Sequence, residues 1–233
     1  MSATYFSMPY RQLEGFTRAL SRLIPRLPTI VYSWARRLRL DLSPYESLSG
    51  YYGAVAIAVD SSGVSVHRCG GWVERLYGGR KRYIKIHFAV DVKTKEILAM
   101  EMTTDDIHDS EVLPNLIMDA SRHRLISEAY MDGAYDSIKS YRLLRRMGVK
   151  PIIKPRRNAR ADRDPPERRL FSHNIQEAWG KMWSDGLWWA LETAFSTFKR
   201  LYEQYCMSKN IETIARELAA KAYIYNMLIN LES

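Results

Sequence analysis

Apolar residues recur at helical spacing from Tyr10 to Ile24, with Leu13, Phe16, Leu20 and Leu23/Ile24 on one side and Arg11, Arg18 and Arg22 among the polar positions. Pro25 and Pro28 interrupt the pattern. Thr29 is placed to cap a second helix, along which Ile30, Val31, Trp34, Ala35 and Leu38 line one side beside Arg36, Arg37 and Arg39. Two short helices joined by a turn, the second one basic, have the form of a helix-turn-helix, a form that any two-helix hairpin shares. Asp41 to Gly50, with Pro44, reads as a linker.

The pattern then changes period. Ala54-Val-Ala-Ile-Ala-Val59 is a continuous apolar run ending at Asp60 and Ser-Ser-Gly, which predicts a strand buried on both faces, with Val64 to Arg68 a short partner strand. Tyr83–Val90 and Glu96–Thr104 predict a third and fourth strand, with Asp91 in the tight turn between them and His87 a satisfied core histidine. A helix is expected from Asp109 or Ser110, either of which can cap it, with Val112, Leu113, Leu116 and Ile117 inward. Ile126–Met131 is another strand, stopped by Asp132-Gly133. Tyr135–Met147 is a basic helix closed by Gly148, and Val149–Ile153 a last short strand. Residues 155–187 look irregular, with a possible short helix over Asn174–Trp183, and helices at Leu187–Tyr205 and Ile211–Leu231 close the chain. Antiparallel strands followed by alternating helices and strands predict an α/β layer with a mixed sheet.

Composition narrows the class. With 233 residues, 46% hydrophobic and 26% charged, the chain is an ordinary globular protein rather than a disordered or fibrous one. Cys69 and Cys206 form no C-x-x-C pair, which argues against a zinc ribbon, a disulfide framework and a redox motif, and leaves reduced buried thiols. No run approaches the ~18 apolar residues of a membrane span and Met1–Tyr10 lacks the pattern of an export signal, so the expectation is a cytoplasmic, nucleoid-associated protein.

The net charge of +9 is local: residues 1–48 carry 7 basic and 3 acidic groups, 49–138 carry 10 and 13, 139–170 carry 12 and 3, and 171–233 carry 6 and 7. A segment holding Arg142, Arg145, Arg146, Lys150, Lys154, Arg156, Arg157, Arg160, Arg163, Arg168 and Arg169 repels itself unless an anionic partner neutralises it. Nucleic-acid phosphate is the partner that fits, and Arg suits bidentate phosphate contact.

Two carboxylates stand at the ends of expected buried strands, Asp60 and Asp132, where neighbouring strand ends open into one cleft and can share a metal ion. Either alone is as well explained as a turn cap. Glu192 lies on the helix L-W-W-A-L-E-T-A-F-S-T-F-K-R, two turns or roughly 10 Å before Lys199 on a neighbouring edge. Asp105, Asp106 and Asp109 with His108 have the look of a metal cluster, but their place before a helix favours turn formation and capping. Asp136 reads as a charge partner for a helix N-terminus.

In order along the chain, V-A-I-A-V-D60, Y-I-K-I-H-F-A-V-D-V-K-T-K-E-I-L-A, I-H108-D-S-E-V, A-Y-M-D132-G-A-Y-D-S, P-I-I-K-P-R-R-N-A and E192-T-A-F-S-T-F-K199-R resemble the DDE transposases of insertion sequences. That family belongs to the ribonuclease H-like superfamily that includes retroviral integrases. The resemblance spans about residues 50–205, and residues 8–42 look like the helical DNA-binding part. It implies a ribonuclease H-like mixed five-stranded sheet flanked by helices (residues 49–233) behind a small helical helix-turn-helix-like region (1–48). By the same resemblance, Asp60, Asp132 and Glu192 match the three catalytic, metal-holding carboxylates, and Lys199 the basic residue that follows. Asp185 and Trp188 stand where the family usually has Tyr and Arg, seven and four residues before the Glu; Trp188 offers a stacking surface for a displaced base in place of a phosphate contact.

The implied activity is metal-dependent cleavage of DNA at the ends of an insertion sequence and joining of the 3′ ends to a target. Two Mg²⁺ ions, with Mn²⁺ as substitute, would relieve the mutual repulsion of the carboxylates and serve an in-line displacement at phosphorus. DNA contacts are expected from Lys199, Arg200, Lys154, Arg156, Arg157, Arg160, Trp188, Arg36, Arg37 and Arg39. Pairing two DNA ends implies a homodimer on DNA, comprising terminal inverted repeats and target, and no membrane. Two rivals stand beside it: a nuclease or junction resolvase of the same fold that hydrolyses without joining, and a degenerate or repurposed transposase that binds DNA without cutting it.

Overall fold

The computed structural model describes residues 8–37, 44–50, 53–66, 84–154, 187–202, 205, 206, 208 and 211–232. Helix α1 (Tyr10–Leu23) buries Leu13 and Thr17 and packs on the short α2 (Tyr32–Arg37). Thr29 does not cap α2. The carboxylate of Glu14, on α1, instead accepts the Tyr32 N–H (2.9 Å), and Thr17 Oγ1 accepts the Ile30 N–H (3.2 Å), so the turn is held by side chains of the preceding helix.

The centre is a mixed sheet in the order β3-β2-β1-β4-β5, formed by β1 (Val55–Val66), β2 (Ile84–Asp91), β3 (Ile97–Thr104), β4 (Ile126–Met131) and β5 (Lys150–Ile153). β1, β2 and β3 are antiparallel, and β4 and β5 run parallel to β1. This is the ribonuclease H-like arrangement expected for the chain.

Alternation along each strand divides the core in two. Ile57, Val59, Ala129 and Met131 face α3 (Asp109–His123) and α4 (Ile138–Arg146), whereas Ala58, Phe88, Tyr130 and Ile152 face α5 (Leu187–Tyr202) and α6 (Ile211–Glu232). The sheet is therefore the middle of three layers.

Some boundaries differ from the expectation, for reasons both distant and local. The two short strands foreseen at Ala54–Val59 and Val64–Arg68 are one strand, because β2 stays in register alongside Ser61-Ser62-Gly63 as far as Val64↔Ile84. α4 starts at Ile138 rather than Tyr135: Gly133–Tyr135 forms a 3₁₀ turn, and Ser137 Oγ caps the helix by accepting the Ser140 N–H (3.1 Å). Gly148 closes α4 as expected, with φ 71° and the Val149 N–H returning to Leu144 O (2.9 Å). α5 ends at Tyr202, and Tyr205–Cys206 then forms a two-residue strand, β6, parallel to Ser65–Val66 of β1. Cys206 is buried, its thiol pushed up to about 12 by burial. Cys69 and the segment 155–186, with the foreseen helix over Asn174–Trp183, lie outside the described residues.

The foreseen linker is docked from Pro44 onward. Tyr45, in a 3₁₀ turn (Pro44–Ser47), stacks on His123 and donates its hydroxyl to Asp119. Ser47 Oγ donates to Tyr223 O (3.1 Å), and Asn230 Nδ2 donates to Ser47 O (2.6 Å). Glu96, fully buried, accepts from Ser49 N (2.6 Å), Ser49 Oγ (2.9 Å), Thr94 Oγ1 (3.0 Å) and Asn230 Nδ2 (2.9 Å), with Arg124 Nη2 at 3.5 Å. Burial opposes its ionisation, but these donors together hold the carboxyl below its usual range. Among the described residues no helix is long and apolar enough to cross a membrane.

Candidate active site

β4 is shorter than β1. Its last residue, Met131, pairs with Val59, so β4 ends one residue short of Asp60 and the next residue of its own chain is Asp132. The two carboxylates thus occupy adjacent positions at the carboxyl end of β4. Asp60 shares the face of Ala58, and Asp132 that of Tyr130, which is the α5 face. Asp60 is inside a continuous strand rather than at its end; what ends there is its neighbour.

Each aspartate is oriented by a backbone N–H. Asp60 Oδ1 accepts from Ser61 N (2.7 Å), and Asp132 Oδ1 accepts from Ala134 N (2.9 Å) as the cap of the 3₁₀ turn. Burial pushes the Asp60 carboxyl up to about 7 against the pull of the Ser61 N–H, and the charges of Asp132, Asp109 and Glu192 raise it further. Glu192 acts on it from α5, where it is exposed one turn before Phe195. Phe195 and Phe198 clasp Phe88 of β2, with ring centroids at 4.8 and 5.1 Å, and this fixes α5 over the β1–β2 pair.

Carboxylate oxygens such as these are hard donors, the kind that ligate Mg²⁺ or Mn²⁺. Among the described residues, however, no three acidic, imidazole or thiolate groups converge closely enough to enclose an ion. Asp60 and Asp132 stand at adjacent positions, with Glu192 within electrostatic reach of Asp60.

The opposite face of the same strand end carries a second polar group. Asp109, the first residue of α3, does not cap its helix: its Oδ2 accepts the Ser61 hydroxyl (2.9 Å) and its Oδ1 receives Lys85 Nζ (3.0 Å). His87 is fully buried beside it, with Nε2 2.9 Å from Thr103 Oγ1 and Nδ1 3.4 Å from Tyr135 Oη. Burial lowers the imidazole to about 4, so it is neutral there, a satisfied core histidine as expected. Sequence reasoning assigned Asp109 to capping and passed over Ser61 and Lys85. The available signal was Lys85 itself, a lysine in a strand otherwise buried from Ile84 to Asp91 that needs an internal counter-charge.

Of the expected DNA contacts, Lys154 is exposed immediately after β5, its N–H bonded to Met131 O (2.9 Å), which puts it beside Asp132. Lys199 and Arg200 lie in the last turn of α5, with Arg200 exposed. Arg142, Arg145 and Arg146 are exposed on α4, on the side of the sheet away from α5, and Lys150 pairs with Glu128 (2.9 Å). Trp188 falls within α5, and Arg36 and Arg37 within α2, but their side chains lie outside the described residues, as do Arg39, Arg156, Arg157, Arg160 and Asp185 altogether.

Residues 51–183, more than half of the chain, match the family model described as "Transposase DDE domain". Asp60 and Asp132 fall inside the matched stretch, and Glu192 and Lys199 beyond it. Among solved structures, the chain is similar to the catalytic core domain of BIV integrase at 10% identity and a TM-score of 0.30, covering 63% of this chain and 84% of that one. It is similar to a chain of the simian T-cell lymphotropic virus intasome in complex with PP2A regulatory subunit B56 gamma at 13% identity and 0.38, covering 93% and 66%. It is also similar to piggyBac transposase in a synaptic complex with hairpin DNA at 10% identity and 0.44, covering 80% of this chain and 48% of that one.

Proposed function

From the premise that this chain belongs to the DDE transposase domain family, we propose that it is a transposase that binds the ends of its own insertion sequence, cuts them, and joins the freed 3′ ends to target DNA. The observation that supports this reading is the adjacent position of Asp60 and Asp132 on one face of the sheet, with Glu192 acting on Asp60 from the helix above.

In this reading Asp60, Asp132 and Glu192 hold two divalent cations, Mg²⁺ with Mn²⁺ as substitute. Bound there, such ions supply charge neutralisation, activation of a water or 3′ hydroxyl, and stabilisation of the leaving oxygen. The remaining work falls to the protein. The Ser61 and Ala134 N–H groups fix one oxygen of each aspartate, leaving the carboxylates turned toward the α5 face. Lys154 beside Asp132, and Lys199 and Arg200 at the end of α5, bracket that face with positive charge that can seat phosphates. Arg156, Arg157 and Arg160 add phosphate contacts, Trp188 stacks a displaced base, and Arg36, Arg37 and Arg39 grip the DNA ends. The partner is DNA, held by a homodimer that brings two ends together in the nucleoid.

The test is strand cleavage and joining on DNA carrying the element ends, with Mg²⁺ or Mn²⁺. Loss of both steps in Asp132→Asn, with DNA binding retained, is expected; full activity of that variant overturns the assignment. Cleavage without joining would move the protein to a nuclease of the same fold. An absence of calorimetric Mn²⁺ binding would move it to a DNA-binding protein that no longer cuts.

A further inference from the structure

We propose that Asp109 is a positioning residue that, through Ser61 and anchored by Lys85, fixes the orientation of Asp60 for metal binding. The inference rests on the reading of Asp60 as a metal-holding carboxylate.

β1 loses its β4 neighbour after Val59, so among the described residues β2 alone pairs with the stretch from Asp60 until β6 joins at Ser65. Asp60 is thus carried on a strand supported along one edge, at the point where its direction matters most. A strand so placed needs a restraint that does not come from the sheet.

Ser61 supplies it from both ends of the residue. Its N–H donates to Asp60 Oδ1 (2.7 Å) on the α5 face, and its hydroxyl donates to Asp109 Oδ2 (2.9 Å) on the α3 face. Holding the Ser61 side chain therefore holds the N–H that aims the neighbouring carboxylate. Asp109 is itself fixed twice, by its place at the start of α3 and by Lys85 Nζ, which lies 3.0 Å from Oδ1 and 3.5 Å from Ile107 O. Lys85 also neutralises Asp109, so the strut adds rigidity while limiting the negative charge brought near Asp60. Ordering an outer-shell partner of this kind is worth about 10–100-fold in metal affinity.

The full-length chain is tested as Asp109→Ala, Asp109→Asn, Ser61→Ala and Lys85→Met, with folding verified by circular dichroism. Calorimetric titration with Mn²⁺ is expected to show roughly tenfold weaker binding in Asp109→Ala and Ser61→Ala, with Asp109→Asn, which still accepts the Ser61 hydroxyl, recovering most of the loss. In cleavage assays the apparent KM for Mn²⁺ rises while kcat at saturating metal is largely restored, a split that general loss of structure does not produce. Wild-type Mn²⁺ affinity in folded Asp109→Ala and Ser61→Ala overturns the proposal. If the wild-type protein itself binds no Mn²⁺, the functional reading has failed, and the strut is judged by hydrogen exchange at the Ser61 amide: faster exchange in Asp109→Ala supports it, and unchanged exchange overturns it.

Discussion

Asp60 and Phe88 are register partners across β1 and β2 and point to the same face, so the first carboxylate lies beside the ring on which α5 is seated. Phe195 stacks on that ring within 18° of parallel and Phe198 meets it edge-on, and Glu192 is one turn away from Phe195. The position of Glu192 relative to Asp60 is thereby tied to an aromatic cluster.

Phe88→Ala should therefore destabilise the fold by about 3–5 kcal/mol, the usual range for removing a buried ring. Phe88→Leu, which conserves most of the volume, should cost less than about 2 kcal/mol yet still slow DNA cleavage at temperatures where it is folded. Thermal unfolding and cleavage rates, measured together, check this; a folded Phe88→Leu variant cutting at the wild-type rate would separate α5 seating from activity.

In the metal-free protein, the Asp60 carboxyl titrates near 7 when folded and near its ordinary 3.8 when unfolded. A raised folded pKa means that the native state is favoured below the unfolded value and loses that advantage as pH climbs through 7. Asp60→Asn should thus be more stable than wild type at pH 8, by about 2–4 kcal/mol, with the advantage gone by pH 4. Saturating Mg²⁺ should narrow the gap at pH 8 by compensating the wild-type carboxylate. Melting curves across this range decide the matter: a pH-independent difference between the two proteins would contradict the assignment.

His87 pulls the other way. Its folded value of about 4 lies below the ordinary 6.5, so its contribution is present above 6.5 and disappears as pH falls through 4. His87→Gln should be less stable than wild type at pH 8, with the difference shrinking toward pH 4. In wild type the Asp60 and His87 effects oppose each other between these limits. The double variant Asp60→Asn/His87→Gln should consequently show the flattest stability profile of the four proteins.

The basic segment makes a prediction about salt. Replacing Arg156, Arg157 and Arg160 with Ala should weaken DNA binding and reduce the slope of log K against log[salt] by roughly one unit per lost phosphate contact. Binding isotherms at several salt concentrations measure it directly. An unchanged slope would remove these arginines from the DNA track.

Legibility in the sequence followed the range of the forces involved. The ends of β4, with Asp132 just past them, are legible because a buried apolar run stopped by Asp-Gly is a local signal, and Gly148 announces the end of α4 in the same way. Ser61-Ser62-Gly63 also looked like a local signal, for a turn, and was overruled by pairing with residues 84–87 of β2. Asp109 carried the grammar of a helix cap, while its partners Ser61 and Lys85 lie 48 and 24 positions away. Glu96 could not announce its burial, because the groups that satisfy it, Ser49 and Asn230, come from distant segments.

The docking of residues 44–50 changes where this chain can be divided. A fragment beginning at Ser49 would strip Tyr45 from His123 and Asp119, and Ser47 from Tyr223 and Asn230, opening the back of the sheet at the point where α3 and α6 meet the β2–β3 turn. A truncation that removes Tyr45 and Ser47 should therefore melt at a lower temperature than one that keeps them, because these two side chains tie α3 and α6 to a single short turn.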